Sequence, residues 1–433
     1  MLPYYLYETA HMMMGPARAM SDMTRLIFKN PVNPLTYTPF GKTMAASAEL
    51  FERTTRRYGK PIFDLPTTLA GGERVAVTER IVWERPFCKL IHFERALRPT
   101  RQRGPKVLMV APMSGHYATL LRGTVEAFLP DHEVYITDWV DARMVPASET
   151  FDLDDYIDYV IAMLKELGPD THVMAVCQPS VPVIAAIARM EAENDPDVPR
   201  SMTLMGGPID TRRAPTAVNK IAQERGLEWF KRNCIVKVPL VYPGALRTVY
   251  PGFMQLSGFM AMNMDKHMSA HYDMFSHLVK GDGEPAEKHR EFYDEYMAVM
   301  DLTSEFYLQT VDVVFCKHLL PKGEMMHRDK KVDLSAIRRV ALMTVEGEFD
   351  DISGVGQTDA AHDLCINIPD DKRVRHMQQK VGHYGVFNGS RFRSEIAPRI
   401  ADFMLTLDMQ AAKSRDNDNS QAARKQMRVV KSA

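Results

Sequence analysis

A chain of 433 residues, 45% hydrophobic and 25% charged, has the composition of a folded globular protein with room for a large core. Its formal net charge of −1 gives no electrostatic reason to expect a nucleic acid or an anionic membrane surface as partner. The five cysteines, Cys88, Cys177, Cys234, Cys316 and Cys365, stand singly with no CxxC pair, which fits reduced thiols in a cytoplasmic setting better than a disulfide framework.

The opening MLPYYLYETAHMMMGP lacks the basic start and uninterrupted apolar stretch of a secretory signal. No apolar run reaches the roughly 18 residues of a membrane span. The 30 methionines are many, and their simplest use is as adaptable filling for a core.

Residues 1–70 carry aromatic segments punctuated by proline, with a helix expected from about 41 to 58. They read as an N-terminal extension packed against the main domain; the alternative is an apolar surface for a partner or polymer. Residues 73–95 alternate as two antiparallel strands. Strand and helix patterns then alternate regularly: strand 106–111, helix 118–128, strand 133–139, helix 153–167, strand 171–177, a helix, and strand 201–205. Such alternation predicts a mostly parallel sheet flanked by helices. It stops at Gly206-Gly207-Pro208. Residues 209–332 turn helical and irregular, rich in Met, Tyr and Phe. The alternation resumes with strand 339–345, a helix near 356–364, strand 372–381 and a closing helix 393–407. The parts are thus an extension 1–70, a core 71–208 and 333–410, a cap 209–332 inserted between two strands, and a disordered polar tail 411–433.

The chemistry centres on THVMAVCQPS, residues 171–180. An apolar strand ends at Cys177 and a helical pattern follows at once, the strand–turn–helix setting of a nucleophile in α/β-hydrolases. A buried structural thiol would look similar in isolation. Downstream, the strand ending near Val345 is followed by EGEFDDIS, which offers Asp350 and Asp351. The next strand is followed by VGHYGVFN, which offers His383 between Gly382 and Gly385, as if exposed into a cleft. Nucleophile, acid and base appear in hydrolase order, each beyond a strand end. A thiol needs an imidazole to hold it as thiolate, and a carboxylate behind the ring fixes its tautomer. Either Asp350 or Asp351 could serve as the acid, the other being left to cap the following segment. Backbone donors for an oxyanion would be the amide of Gln178 and that of Met113 or Ser114, in the turn after strand 106–111. His267 and His271, spaced i and i+4, could share a helix face as metal ligands do, but no third ligand accompanies them. GVGQ at 354–357 is not a dinucleotide fingerprint and no phosphate-binding loop occurs, so neither metal nor cofactor is expected.

Four segments together resemble the intracellular polyhydroxyalkanoate (polyhydroxybutyrate) depolymerases: VLMVAPMSGHYATLLR (107–122), VMAVCQPSVP (173–182), VEGEFDDISGVGQ (345–357) and VGHYGVFNGSRF (381–392). The resemblance implies an α/β-hydrolase fold with Cys177 as nucleophile, Asp350 as acid and His383 as base. It also implies cleavage of 3-hydroxyacyl esters in amorphous polyester granules of the cytoplasm, with the polymer surface as partner. A homo-oligomer is neither required nor excluded. Two other readings share these residues: acyl transfer to coenzyme A or chain growth by a polyester synthase, and a non-catalytic granule-binding protein.

Overall fold

The computed structural model describes the backbone of residues 2–262 and 264–431 and the side chains of 2–261, 264–265 and 267–415. Three helices lead the chain: α1 (Leu2–Met13), α2 (Gly15–Lys29) and α3 (Pro39–Thr55). Two of the prolines that punctuate this stretch stand in first turns, where the missing N–H was unpaired anyway: Pro16 in α2, and Pro39 in α3 behind the Thr38 cap. Only the third of these helices is evident from the sequence.

The extension docks chiefly on the insertion rather than on the sheet. The Tyr4 hydroxyl, fully buried, donates to Asp301 Oδ2 at 2.8 Å, and Tyr7 stacks on Phe253 at 4.2 Å. Arg53 pairs with Asp294 at 2.6 Å and Glu49 with Arg290 at 2.5 Å. Farther along, Phe63 meets Phe93 of the sheet edge to face at 5.0 Å.

The main sheet has nine strands: β1 (Thr67–Ala70), β2 (Glu73–Arg85), β3 (Cys88–Arg95), β4 (Lys106–Val110), β5 (Glu133–Trp139), β6 (Thr171–Val176), β7 (Ser201–Met205), β8 (Ala341–Gly347) and β9 (Arg373–Gln378). They lie in the order β1-β2-β3-β5-β4-β6-β7-β8-β9. Pairing is antiparallel from β1 to β5 and parallel from there to β9. From β2 onward this is the strand order of the α/β-hydrolase fold. Strands β6, β7 and β8 are buried at every residue, as a sheet covered on both faces demands. Helices α4 (Arg122–Phe128), α5 (Leu153–Leu167) and α6 (Ser180–Ala192) follow β4, β5 and β6. A reciprocal cap opens α5: the Asp155 amide donates to Asp152, and the Asp152 amide to Asp155, both at 2.9 Å.

Between β7 and β8 lie α7 (Ala217–Asn233), α8 (Gly252–Met262), α9 (Met264–Lys280), α10 (Gly283–Tyr296) and α11 (Ser304–Thr310), with a small three-stranded sheet. After β8 come α12 (Ala360–Leu364) and, closing the chain, α13 (Ala397–Lys431). The last helix continues through most of 411–433, where the sequence suggests disorder; residues 432 and 433 lie outside the described residues. The Ala, Gln, Lys and Arg content of residues 411–431, and their lack of Gly and Pro, favour the helical backbone over a coil. No described helix is long and apolar enough to cross a membrane.

Candidate active site

Strands β6, β7 and β8 end in line: Val176 pairs with Met205, and Met205 with Val345. The chain turns out of the sheet at this edge, so segments distant in sequence meet there. Cys177 follows β6, Gly206 follows β7, Asp350 lies just beyond β8, and His383 lies beyond β9.

Cys177 has φ +67°, a left-handed conformation that a residue with a Cβ keeps only when its surroundings enforce it. Its N–H donates to the Met205 carbonyl at 2.7 Å, and its own carbonyl accepts from the Ser180 N–H at 3.1 Å, at the start of α6. The strand thus breaks into a helix at a single strained residue, and the half-buried thiol stands at the sheet edge. The two glycines after β7 make this possible. A Cβ on Gly207 would stand 2.0 Å from Ser180 Oγ and 3.0 Å from the Cys177 carbonyl oxygen. Gly206 has φ +57°, and a Cβ there would come within 3.3 Å of both Asp350 Oδ2 and His383 Cε1.

His383 and Asp350 join at 2.8 Å through Nδ1 and Oδ2. Both are buried, His383 only 5% exposed, so the ring is not open to a cleft as its flanking glycines suggest. Those glycines serve packing instead: a Cβ on Gly385 would meet Val381 Cβ at 2.8 Å. Asp350 uses its other oxygen to accept from the amides of Ile352 at 2.9 Å and Ser353 at 2.8 Å. Asp350 thus caps the following segment with one oxygen, which locks its carboxylate toward the ring. Burial alone would depress the His383 pKa. Cys177 and Asp350, through charge and through hydrogen bonds to the ring, outweigh it and hold that pKa well above the ordinary histidine value. A raised histidine beside a cysteine sulfur and a carboxylate is the electrostatic condition for a thiolate–imidazolium pair.

The backbone N–H groups of Met113, Ser114 and Gln178 find no acceptor among the described residues. Met113 and Ser114 follow β4 and Gln178 follows Cys177, at the ends of two neighbouring strands, and free amides of this kind can receive developing negative charge. The Ser114 carbonyl is taken by the Gln255 side chain of α8. Both polar atoms of the buried Gln178 side chain are without a partner among the described residues.

Other residues escaped sequence reasoning. Glu346, buried in β8, accepts from the amides of Gly356, Thr358 and Asp359 at 2.8–3.0 Å and thereby folds the loop that carries Asp350. Tyr384 packs beside His383 with ring centroids 5.9 Å apart and reaches Tyr296 of α10 at the same separation. Phe259 of α8 lies 5.8 Å from His116, so α8 and α10 both cover loops at this edge. Their signal was the aromatic richness of the insertion, which has no period that singles out a position. His267 donates to or accepts from the Tyr293 hydroxyl at 2.8 Å, and among the described residues no three His, Cys, Asp or Glu side chains are placed to share a metal.

Residues 206–408 match the family model described as PHB de-polymerase C-terminus. No curated protein matches the chain. Among solved structures, a thermophilic esterase from Thermogutta terrifontis is similar over 79% of this chain and 97% of its own, at 13% identity and a TM-score of 0.39. A monoacylglycerol lipase from Paleococcus ferrophilus is similar over 70% and 96%, at 12% identity and a TM-score of 0.41. A 2-hydroxy-6-oxo-6-phenylhexa-2,4-dienoate hydrolase from Rhodococcus sp. strain RHA1 is similar over 76% and 99%, at 10% identity and a TM-score of 0.42.

Proposed function

We propose that this chain is a cysteine-type ester hydrolase that cleaves amorphous polyesters of the poly(3-hydroxybutyrate) class to hydroxyacid monomers and short oligomers. The observation that carries the reading is the coupling of three groups at one sheet edge: a strained Cys177, a His383 whose proton that cysteine helps to hold, and an Asp350 bound to the far side of the ring. The family match over residues 206–408 supports this substrate class.

In this reading the Cys177 thiolate attacks the ester carbonyl carbon. The carbonyl oxygen becomes an oxyanion held by the amides of Gln178 and Met113, with Ser114 the alternative donor. The C–O bond breaks as His383 gives its Nε2 proton to the leaving alkoxide, leaving an acyl thioester on Cys177. Neutral His383 then takes a proton from water, hydroxide attacks the thioester, and the acid leaves as the thiolate–imidazolium pair reforms. Asp350 keeps Nδ1 protonated throughout, so Nε2 is the atom that works. The insertion acts as a cap whose aromatic and Met side chains exclude water and suit a methyl-bearing, uncharged substrate. The polymer surface is met from outside by α2, which buries no residue and leaves Met20, Met23 and Leu26 exposed. A cytoplasmic, granule-associated location follows from this substrate.

The test is acid release from amorphous 3-hydroxybutyrate granules by wild type and Cys177→Ala, with crystalline polymer and a p-nitrophenyl ester as controls. Release by wild type alone supports the reading. Cleavage of the small ester with no action on granules would keep the site and remove the polymer. Thioester products seen only with added coenzyme A would replace water by a thiol as acceptor.

A further inference from the structure

Away from the Cys177 edge, a cavity of about 210 Å³ lies where the end of α3 meets α8, α9 and α10. Part of its wall is aliphatic and thioether, from Leu50 of α3, Met260 of α8, Met274 of α9 and Met297 after α10, and Arg53, Thr54 and Tyr58 line it as well. Into this wall two histidines are set, His271 of α9 and His289 of α10, with rings 5.2 Å apart and both packed on Tyr293. Buried polar atoms nearly always have partners, yet three here have none among the described residues: His271 Nδ1 and both ring nitrogens of His289. The neighbouring groups are already committed. The Tyr293 hydroxyl is bound to His267 at 2.8 Å, and Arg53 is bound to Asp294 and to the Arg290 carbonyl.

Both imidazoles are held neutral. Burial lowers the pKa of His271, aided by His267 and Arg53, and burial with His271, Arg53 and Arg290 brings that of His289 down to about 4. A neutral imidazole offers one donor and one acceptor. The cavity therefore presents hydrogen-bonding edges of both kinds and a Met-lined wall suited to a short alkyl chain, and the one charged group that lines it, Arg53, is paired with Asp294. Its volume is below that of a site for a drug-sized ligand.

We propose that this cavity binds a short, uncharged hydroxy ester, whose hydroxyl and carbonyl pair with His271 and His289 while its alkyl part lies on the Met wall. Such a molecule is also the end group of the polyester proposed as substrate; that link, unlike the pocket itself, rests on the reading of Cys177. The site is separate from the chemistry but shares a helix with it. Tyr293 lines the cavity, and Tyr296, one turn on, touches Tyr384 beside His383. Occupancy is thereby positioned to steady α10 over the catalytic edge.

The experiment uses the full chain carrying Cys177→Ala, which cannot turn the probe over, labelled with ¹⁵N-histidine. Methyl 3-hydroxybutyrate, methyl butyrate and free 3-hydroxybutyrate are titrated separately, with ring signals assigned through His271→Gln and His289→Gln. The expected result is a saturable shift of the His271 and His289 signals by the hydroxy ester. Methyl butyrate, which lacks one hydrogen-bonding group, should bind about tenfold more weakly, and the free acid more weakly than its ester. His289→Leu should cost a similar factor in binding, while the same substitution in the otherwise wild-type chain leaves hydrolysis of a p-nitrophenyl ester and the melting temperature unchanged. The proposal is overturned if none of the probes moves these signals, or if the hydroxy ester and methyl butyrate bind alike. Either failure, in a chain that still degrades polymer, would leave the catalytic reading standing. Binding by a chain that degrades none would leave the pocket standing alone.

Discussion

Replacing Asp350 by Asn removes one charge and changes almost no volume. The carboxylate is buried with all its bonding directed: Oδ2 to His383 Nδ1 at 2.8 Å, and Oδ1 to two amides at 2.9 and 2.8 Å. An asparagine can keep its oxygen on the two amides only by turning its NH2 toward Nδ1. Two donors then face each other, and His383 is driven to the tautomer with its proton on Nε2, where it cannot accept one. The pair's attraction at this distance, with an effective dielectric constant near 20, is about 6 kcal/mol. A lost charge-assisted hydrogen bond alone is worth about 1.5–3 kcal/mol. These bracket a fall in kcat of roughly 10–10⁴-fold, with the upper part favoured because the tautomer is wrong as well. The assay is steady-state hydrolysis of a p-nitrophenyl ester, with circular dichroism to show that the fold survives. A folded Asn variant that keeps more than a third of wild-type kcat would refute the role given to Asp350.

Other consequences can be measured independently. In Cys177→Ala, the His383 ring should titrate at a lower pH than in wild type, because a group that favours its charged form is gone while burial remains; histidine NMR reads this directly, and an unchanged or higher value would contradict the coupling. Since the folded chain holds that proton more tightly than the unfolded chain, the stability it adds is full below the ordinary histidine pKa. It fades as the pH climbs through the raised one, and Cys177→Ala should reduce that fading in denaturant melts. Gly206→Ala puts a methyl group 3.3 Å from Asp350 Oδ2 and His383 Cε1 at a left-handed φ, so kcat should fall by about 10² with KM little changed; wild-type kinetics would show that the loop yields freely. Met20→Glu with Met23→Glu should weaken adsorption to amorphous granules and leave small-ester hydrolysis intact, whereas equal adsorption would remove α2 from the polymer interface.

Much of the frame is legible in the sequence because buried parallel strands have few ways to be written. The ranges 133–139, 153–167 and 201–205 coincide with β5, α5 and β7, each an apolar pattern bounded by charge, Gly or Pro. Local pattern also marks the turn at Cys177, since a strand ending so close before a helix leaves only Cys177, Gln178 and Pro179 to make the corner. It says nothing of burial, which depends on what packs from elsewhere. His383 reads as an exposed loop residue between glycines, yet one of them, Gly385, lets Val381 close in beside it. Asp350 and Asp351 are equivalent as sequence; register and the Ile352 and Ser353 amides separate them. The helices α1 and α2 are obscured because proline is read as a breaker, whereas at a first turn it is compatible with the helix. Their docking onto the insertion runs through Tyr4–Asp301 and Arg53–Asp294, pairs about 300 and 240 residues apart that no local pattern can announce.

The account turns on an acyl group carried by Cys177. Rapid quenching of the full chain with the p-nitrophenyl ester of 3-hydroxybutyrate, followed by peptide mass spectrometry, looks for that group. The expected result is one hydroxyacyl adduct, labile to hydroxylamine, on the peptide containing Cys177, formed as nitrophenol is released in a burst and absent from Cys177→Ala. An adduct on another side chain, or undiminished turnover by Cys177→Ala, would contradict the account.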